Sequence, residues 1–254
     1  MKFDTYGLII IRRTPQIQLL MIKRRCSYAF GDFINGLYDP GAGNFLEVCR
    51  NMFRHMTSAE KILIRTCNFN AMFFQYWLMD PDTQIVSPDD LAKFNEKKNK
   101  FLVNFFNPDR GKRLIQLLTE TSYISLLTLY EFPKGHSMHG ETPLDAAKRE
   151  TIEETGIGED AYEILSSESI KHEFTGQDDK KKYIRYYFFA EMKNPRTHTM
   201  VNHRSKTQRL EVDEIIWMSL SVLEENMPIY SIVYSHIRSH AVNRAFQEAS
   251  WGEV

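Results

Sequence analysis

An α/β fold carrying an inserted helical subdomain is what the sequence predicts, on three observations. Two β-rich runs, 6–13 (YGLIIIRR) and 17–25 (IQLLMIKRR), are separated by Thr14-Pro15 and read as a hairpin. From about 45 to 120 the pattern changes to helical spacing. Strand-like runs then return at 123–132, 162–168, 182–192 and 210–218, with a helix among them. The expected organisation is a first part over 1–36, a helical insertion over 37–122 and the rest of the α/β domain over 123–254.

After the hairpin, GLYDPGAGN (Gly36 to Asn44) breaks any regular element with glycine and proline. In the insertion, TSAEKILI carries a capping box, with Thr57 as N-cap and Glu60 three residues on. SPDDLAKF supplies Ser87 as N-cap, Pro88 at the first helical position and Asp89 and Asp90 in the first turn. Apolar residues recur through Phe94, Phe101, Phe105, Leu114 and Leu118, with breaks near Asp80-Pro81 and Asn107-Pro108. Residues 191–209 read as a long polar loop. A final helix is expected over 228–248, with Ile232, Val233, His236, Ile237 and Ala241 on one side.

The 254 residues are 43% hydrophobic and 26% charged, ordinary globular values, and the net charge of −1 excludes a generally polybasic protein. Cys26, Cys49 and Cys67 are an odd set without CxxC spacing, so free thiols are expected rather than a disulfide frame or a zinc site. The opening MKFDTYGLIIIRR has a short apolar run without a small-residue cleavage site, and no apolar run approaches about eighteen residues. A soluble intracellular protein is the expectation.

The segment GHSMHGETPLDAAKRETIEETGI, Gly135 to Ile157, gathers the chemistry. Thr142 is a good N-cap, Pro143 suits the first turn, and Gly156 stands where a left-handed residue would end the helix. On that helix Glu150, Glu153 and Glu154 lie at i, i+3 and i+4, on one face, where like charges repel. Arg149, four residues before Glu153, relieves only part of this. A hard divalent cation, which takes oxygen ligands, would offset the rest. Any one of these glutamates alone would read as solvated surface; their joint spacing does not.

This segment resembles the Nudix box, G-x₅-E-x₇-R-E-U-x-E-E-x-G-U with U a bulky aliphatic residue. Gly135, Glu141, Arg149, Glu150, Glu153, Glu154, Gly156 and Ile157 fall in register, and Thr151 at the first U is the one departure. The resemblance implies a Nudix α/β/α sandwich that hydrolyses a pyrophosphate bond with Mg²⁺ or Mn²⁺. It also implies Glu150, Glu153, Glu154 and Gly135 as metal-site residues. Metals there would neutralise the phosphates and lower the pKa of a bound water. Arg149 would orient the carboxylates. The base that takes the water's proton would come from the box helix or from Glu211, Asp213 or Glu214 in RLEVDEIIW, with Glu214 carried forward. Lys134 is placed to meet a phosphate oxygen.

The flanks bear on which pyrophosphate. The insertion ends in a basic stretch, Lys93, Lys97, Lys98, Lys100, Arg110, Lys112 and Arg113, against only Glu96 and Asp109. Lys180, Lys181, Lys182 and Arg185 stand beside Tyr183, Tyr186 and Tyr187. Basic and aromatic side chains together suit single-stranded RNA, although lysine-rich helices are usually just solvated. In KRRCSYAFGDFI, Tyr28, Phe30 and Phe33 could cradle the cationic ring of a methylated cap, Tyr28 and Phe30 being the ring-binding candidates with Tyr183 as partner. One of the two phenylalanines is expected in the core.

KRRCSYAF, MTSAEKILIRTCNF and EFPKG, together with the box, are similar to the mRNA-decapping Nudix hydrolases of large DNA viruses, of African swine fever virus and poxvirus type. That resemblance implies capped mRNA as substrate, m7GDP and 5′-monophosphate RNA as products, a helical domain that helps bind RNA, and the host cytoplasm; no membrane or DNA partner is expected. Hydrolysis of diphosphoinositol polyphosphates, or a non-catalytic RNA-binding module, are the alternatives.

Overall fold

The computed structural model describes residues 3–78, 87–175, 182–202 and 204–239. Two units divide the chain: Met1–Lys23 with Tyr130–Val254, and Arg24–Leu129. The helical unit therefore starts and ends further out than the 37–122 read from composition.

In the first unit β1 (Phe3–Arg13) and β2 (Ile17–Arg24) form the expected hairpin, with Ile11 opposite Leu19. The remaining strands are β3 (Tyr130–Glu131), β4 (Lys134–Gly135), β5 (Tyr162–Ile164), β6 (Ile170–Thr175), β7 (Lys182–Met192) and β8 (Val212–Ser219). The path runs β3-β2-β1-β7-β5, with β4 on β1, β6 on β7 and β8 on β2. β1 and β7 are parallel and in unbroken register from Phe3 opposite Tyr183 to Ile11 opposite Glu191.

That register sorts side chains onto two faces, because successive strand residues alternate. Leu8, Ile10, Leu20, Ile22, Phe188 and Ala190 are buried together with Ala147 of the helix at 143–155 and Val212 of β8. On the other face Ile9, Ile11, Leu19, Met21, Tyr187 and Phe189 are buried with Leu223 and with Val233, Tyr234 and Ile237 of the helical stretch 231–239. Helices thus cover both faces of a mixed sheet, the expected α/β/α sandwich. Leu223 lies on the helix Leu220–Asn226. Ala241, placed on the final helix by its pattern, lies outside the described residues. Ile232, expected on the packed side, is 45% exposed.

The second unit contains α1 (Tyr28–Ile34), α2 (Phe45–Arg54), α3 (Ser58–Arg65), α4 (Phe69–Trp77), α5 (Pro88–Phe101) and α6 (Lys112–Glu120). A π-helical turn, Leu102–Phe106, extends α5. Thr57 and Glu60 make the expected capping box, and Ser87 caps α5 from its side chain. The core is aromatic: Phe30, Phe33, Phe53, Phe69, Phe94, Phe101 and Phe105 are all buried. Three of these rings surround Phe33 with centroids within 6.1 Å, those of Phe53, Phe101 and Phe105. The break expected at Asn107-Pro108 is a turn ahead of α6, whereas Asp80-Pro81 lies outside the described residues. None of the helices among the described residues is long and apolar enough to cross a membrane.

Candidate active site

The helix α7 (Pro143–Thr155) has the ends its sequence calls for. The Thr142 side chain accepts from the Asp145 amide at 3.2 Å, and Gly156 takes φ 73° in the left-handed region. Thr151, at the aliphatic position of the box, is fully buried, and its hydroxyl donates to the Ala147 carbonyl at 2.8 Å. A polar residue is tolerated in the sheet-facing core because its one hydroxyl is satisfied within the helix.

Arg149 organises the carboxylates. Nε and Nη2 donate to the two oxygens of Glu141 at 2.9 and 3.1 Å. Nη1 donates to Glu150 at 2.8 Å and Glu153 at 3.1 Å, and Nη2 also reaches the His136 carbonyl at 2.8 Å. Every N–H of the guanidinium is engaged. Its bond to Glu141, more than anything else, raises the Arg149 pKa and holds the Glu141 carboxyl below its ordinary range. The 135–142 loop is thereby tied to the first half of the helix.

Glu154 is 4% exposed and accepts from the Lys134 backbone N–H at 2.9 Å. Burial pushes its carboxyl up to about 8, against the pull of the nearby Lys134 ammonium. Burial also raises Glu150, against the pull of Arg149. Lys134 is itself buried and pairs with Glu131 at 2.6 Å. The expectation that it meets a substrate phosphate is therefore corrected: its ammonium is enclosed among Glu131 and Glu154 and offsets their charge.

Gly135 pairs with Tyr6 across β4 and β1, and a Cβ added there would fall inside the Glu150 carboxylate. The backbone of Gly135 and the Glu150 oxygens are in close approach for that reason. The donors in this cradle are all oxygens, and its side-chain donors are carboxylates, Glu150 and Glu154 largely buried and Glu153 partly exposed, the set a hard divalent cation takes. With Glu150 and Glu153 turned onto Arg149, no group of three or more His, Cys, Asp or Glu among the described residues is spaced to hold a metal. The residues fit a cation once those two carboxylates turn from the guanidinium.

Of the late acidic candidates, Glu211 ends α8 (Lys206–Glu211), and its charge helps raise the Glu150 pKa. Asp213 pairs with Lys23 at 2.6 Å, and Glu214 accepts from the Tyr130 hydroxyl at 2.8 Å. The structure brings Glu211 to the box helix in place of the expected Glu214. Sequence reasoning had Glu211 among its candidates; the helix that presents it straddles the end of the stretch read as loop, 191–209, and the start of the run read as strand, 210–218.

The ring-binding expectations separate. Phe30 is 1% exposed and belongs to the core of the helical unit, a correction, since α1 turns it inward. Tyr28 is exposed, with the Arg24 guanidinium 3.5 Å from its ring centroid. Tyr183 stacks on Phe174, centroids 5.3 Å apart, and has the same parity on β7 as Tyr187 and Phe189. It thus stands on the sheet face away from the box helix. Tyr186, named from sequence among the aromatics of the second basic cluster but not as a ring-binding candidate, faces the box side, as strand parity alone could have shown.

Among the basic residues of the insertion, Lys97 donates to the Asn35 side chain at 2.7 Å and Lys100 to the Gly36 carbonyl at 2.8 Å. Both fasten α5 to the end of α1. Lys98 lies half-buried against the Phe94 ring. Lys93, Arg110, Lys112 and Arg113 are exposed.

Comparison with known proteins agrees with this geometry. The model of the NUDIX domain matches residues 96–236. The chain is 30% identical over 224 residues to the mRNA-decapping protein g5R of African swine fever virus, covering 85% of each chain. It is 29% identical over 126 residues to the RNA pyrophosphohydrolase of Bartonella bacilliformis, covering 44% of this chain and 69% of that one. Among solved structures, the Ap4A hydrolase of C. elegans in a binary complex is 15% identical, covers 96% of this chain and 98% of its own, and has a TM-score of 0.43. With the box residues assembled around Arg149 and a family match over more than half its length, the chain belongs to the Nudix family and is a pyrophosphohydrolase of it.

Proposed function

We propose that this protein is a metal-dependent mRNA-decapping hydrolase that cuts the cap pyrophosphate, releasing m7GDP and 5′-monophosphate RNA, in the cytoplasm of an infected host. The observation that carries this reading is the extent of likeness to g5R: 85% of each chain, more than the sheet unit alone could supply. The likeness to an RNA pyrophosphohydrolase supports RNA as the carrier of the pyrophosphate.

Glu150, Glu153, Glu154 and the backbone of Gly135 would hold Mg²⁺ or Mn²⁺. When bound there, the ion neutralises pyrophosphate charge and lowers the pKa of the attacking water. Glu150 and Glu153, which accept from Arg149 Nη1, would turn from it to hold the ion, while the Glu141 clasp keeps the guanidinium and the 135–142 loop in place. Lys134 offsets the buried Glu131 and Glu154. Glu211, near Glu150, takes the proton from the nucleophile. Exposed Lys93, Arg110, Lys112 and Arg113 supply phosphate contacts along the RNA.

The test is RNA with a labelled methylated cap, incubated with Mg²⁺ or Mn²⁺ and either wild type or Glu154→Gln. Label released as m7GDP by wild type alone supports the reading. Intact capped RNA alongside dephosphorylation of a diphosphoinositol polyphosphate replaces RNA as substrate. If neither reacts and RNA binding survives chelation, a binding module remains.

A further inference from the structure

Gln208 is 2% exposed in a segment where Asn202, Arg204, Arg209 and Glu211 are all exposed. Its side-chain Oε1 accepts from the Asn202 backbone N–H at 2.7 Å. The turn that starts at Asn202 closes on itself. Its carbonyl accepts from the Ser205 N–H at 2.9 Å, and its side chain accepts from the Arg204 N–H at 3.0 Å. Ser205 then caps α8, its hydroxyl accepting from the Gln208 N–H at 3.4 Å. The carboxamide Nε2 of Gln208 lies on the other side, against the end of the box helix: a Cβ added to Gly156 would stand 3.3 Å from it. The last turn of a helix leaves carbonyls without intrahelical partners and carries partial negative charge, so an amide donor suits that place.

We propose that Gln208 is a positioning residue for hydrolysis, a strut between the Gly156 end of the box helix and the Asn202 turn that sets α8 and so places Glu211 beside Glu150. The proposal rests on the reading of Glu211 as the group that takes the proton from the nucleophile.

Gln208 and Glu211 are i and i+3 on α8, hence on one face of it. Gln208 meets the box helix at Gly156, and the Glu211 charge acts on Glu150, roughly 9 Å back along the helix axis. α8 therefore runs against the direction of the box helix. A helix of six residues does not hold itself in place, so its anchors decide where it stands. After Glu211 the anchor is Val212, buried in the core with Ala147. Before it, the anchor is Gln208. A proton acceptor must be within hydrogen-bond reach of the proton it takes, so a small displacement of α8 lowers turnover. Contacts that bind the substrate phosphates lie elsewhere and are left intact.

The experiment is a double-mutant cycle on the full-length Mg²⁺-loaded protein: wild type, Gln208→Met, Glu211→Gln and the two changes combined. Each is measured for kcat and KM on capped RNA, below the lowest melting transition of the set. Methionine keeps the unbranched shape of glutamine without its hydrogen bonds. Gln208→Met is expected to lower kcat about tenfold and leave KM within about twofold. In the Glu211→Gln background the same change is expected to cost nothing further, because the group it positions is gone. Wild-type kcat in Gln208→Met overturns the positioning role. A loss of equal size in both backgrounds overturns it too and makes Gln208 a general support of the fold, as does a raised KM with kcat unchanged. Wild-type kcat in Glu211→Gln removes the proton acceptor itself and takes the proposal with it, a failure visible without any change at Gln208. If wild type leaves capped RNA intact, decapping fails, and the cycle is read on the pyrophosphate that the protein does cut.

Discussion

In the helical unit the buried Glu60 accepts from the Ser27 N–H at 2.6 Å, the Ser27 hydroxyl at 2.9 Å and the Thr57 N–H at 2.7 Å. The neighbouring Lys61 donates to the Thr121 carbonyl and hydroxyl and to the Ser122 carbonyl, at 2.9, 2.7 and 2.5 Å. In the sheet unit Glu131, Glu141, Glu150, Glu153 and Glu154 gather around two cations, Arg149 and Lys134. The first pair of buried charges is answered group by group with local dipoles and works as a staple. The second set is left with more negative charge than its partners offset. A buried charge that is fully matched belongs to folding, whereas a surplus of one sign waits for something to bind.

Mutations on the two sides should therefore separate activity from stability. The largest effect is expected at Glu154→Gln, which removes a carboxylate from the proposed ion site. Cleavage of capped RNA should fall by roughly 10³-fold or more, while thermal melting in chelator at neutral pH shows no loss, because the amide is neutral without the cost of protonating a buried carboxyl pushed up to about 8. A melting temperature that falls as steeply as the activity would make Glu154 a structural group.

Gly135→Ala comes next. Its Cβ must displace the Glu150 carboxylate, and activity should drop roughly 10²-fold. Mg²⁺ titration followed by intrinsic fluorescence should show weakened affinity; unchanged affinity would detach Gly135 from the cradle.

Glu60→Ala tests the other side. Three buried donors lose their acceptor, at a cost of about 3 kcal/mol to the helical unit, read by urea unfolding. Turnover of a short cap dinucleotide, which has no RNA body, should stay close to wild type. Strong loss of that turnover would show that the staple also serves catalysis.

The smallest effects are expected from the exposed cations. Lys93, Arg110, Lys112 and Arg113 changed together to alanine should flatten the salt dependence of RNA binding, lowering the slope of log K against log salt by about 3. Individual changes should each move it by less than one unit. An unchanged slope for the quadruple variant would move the RNA path elsewhere.

The contrast also governs what the sequence disclosed. The box helix, its Thr142 and Gly156 ends, the β1–β2 hairpin and both helix caps at Thr57 and Ser87 were legible, since each rests on contacts within a few residues. The run at 123–132 reads as a strand from its β-branched and aromatic content, yet only Tyr130–Glu131 pairs; Leu126–Leu129 turns as a 3-10 helix. Tertiary pairing, not propensity, decided there. The 162–168 run gives only a three-residue strand, and β6 follows it, a short strand whose alternation of Ile170, His172 and Phe174 with Lys171, Glu173 and Thr175 carries only two strongly apolar residues. α1 escaped notice because five of its seven residues are buried, leaving no polar stripe. Gly31 there is needed because a Cβ would meet the Tyr76 hydroxyl at 2.7 Å.

At the site, residue identities were legible and partnerships were not. The box spacing names Glu150, Glu153 and Glu154, but only coordinates turn Lys134 inward and put Tyr183 and Tyr186 on opposite faces. Glu211 was readable as one of three candidates, and its nearness to Glu150 was not, because α8 joins the polar end of a stretch read as loop to the first two residues of a run read as strand.

The pairing of Ile22 with Glu131 and Lys23 with Tyr130 means that the chain leaves for the helical unit and returns from it through adjacent strands. Topologically the whole unit occupies the place of a hairpin turn. Its two ends are anchored by the sheet whatever state the unit itself is in. Melting the helices would convert them into one long closed loop, and lengthening such a loop costs only a logarithmic increment of entropy. The sheet can thus outlast its insertion, and native-state hydrogen exchange should show Arg24–Leu129 opening as a cooperative body of its own.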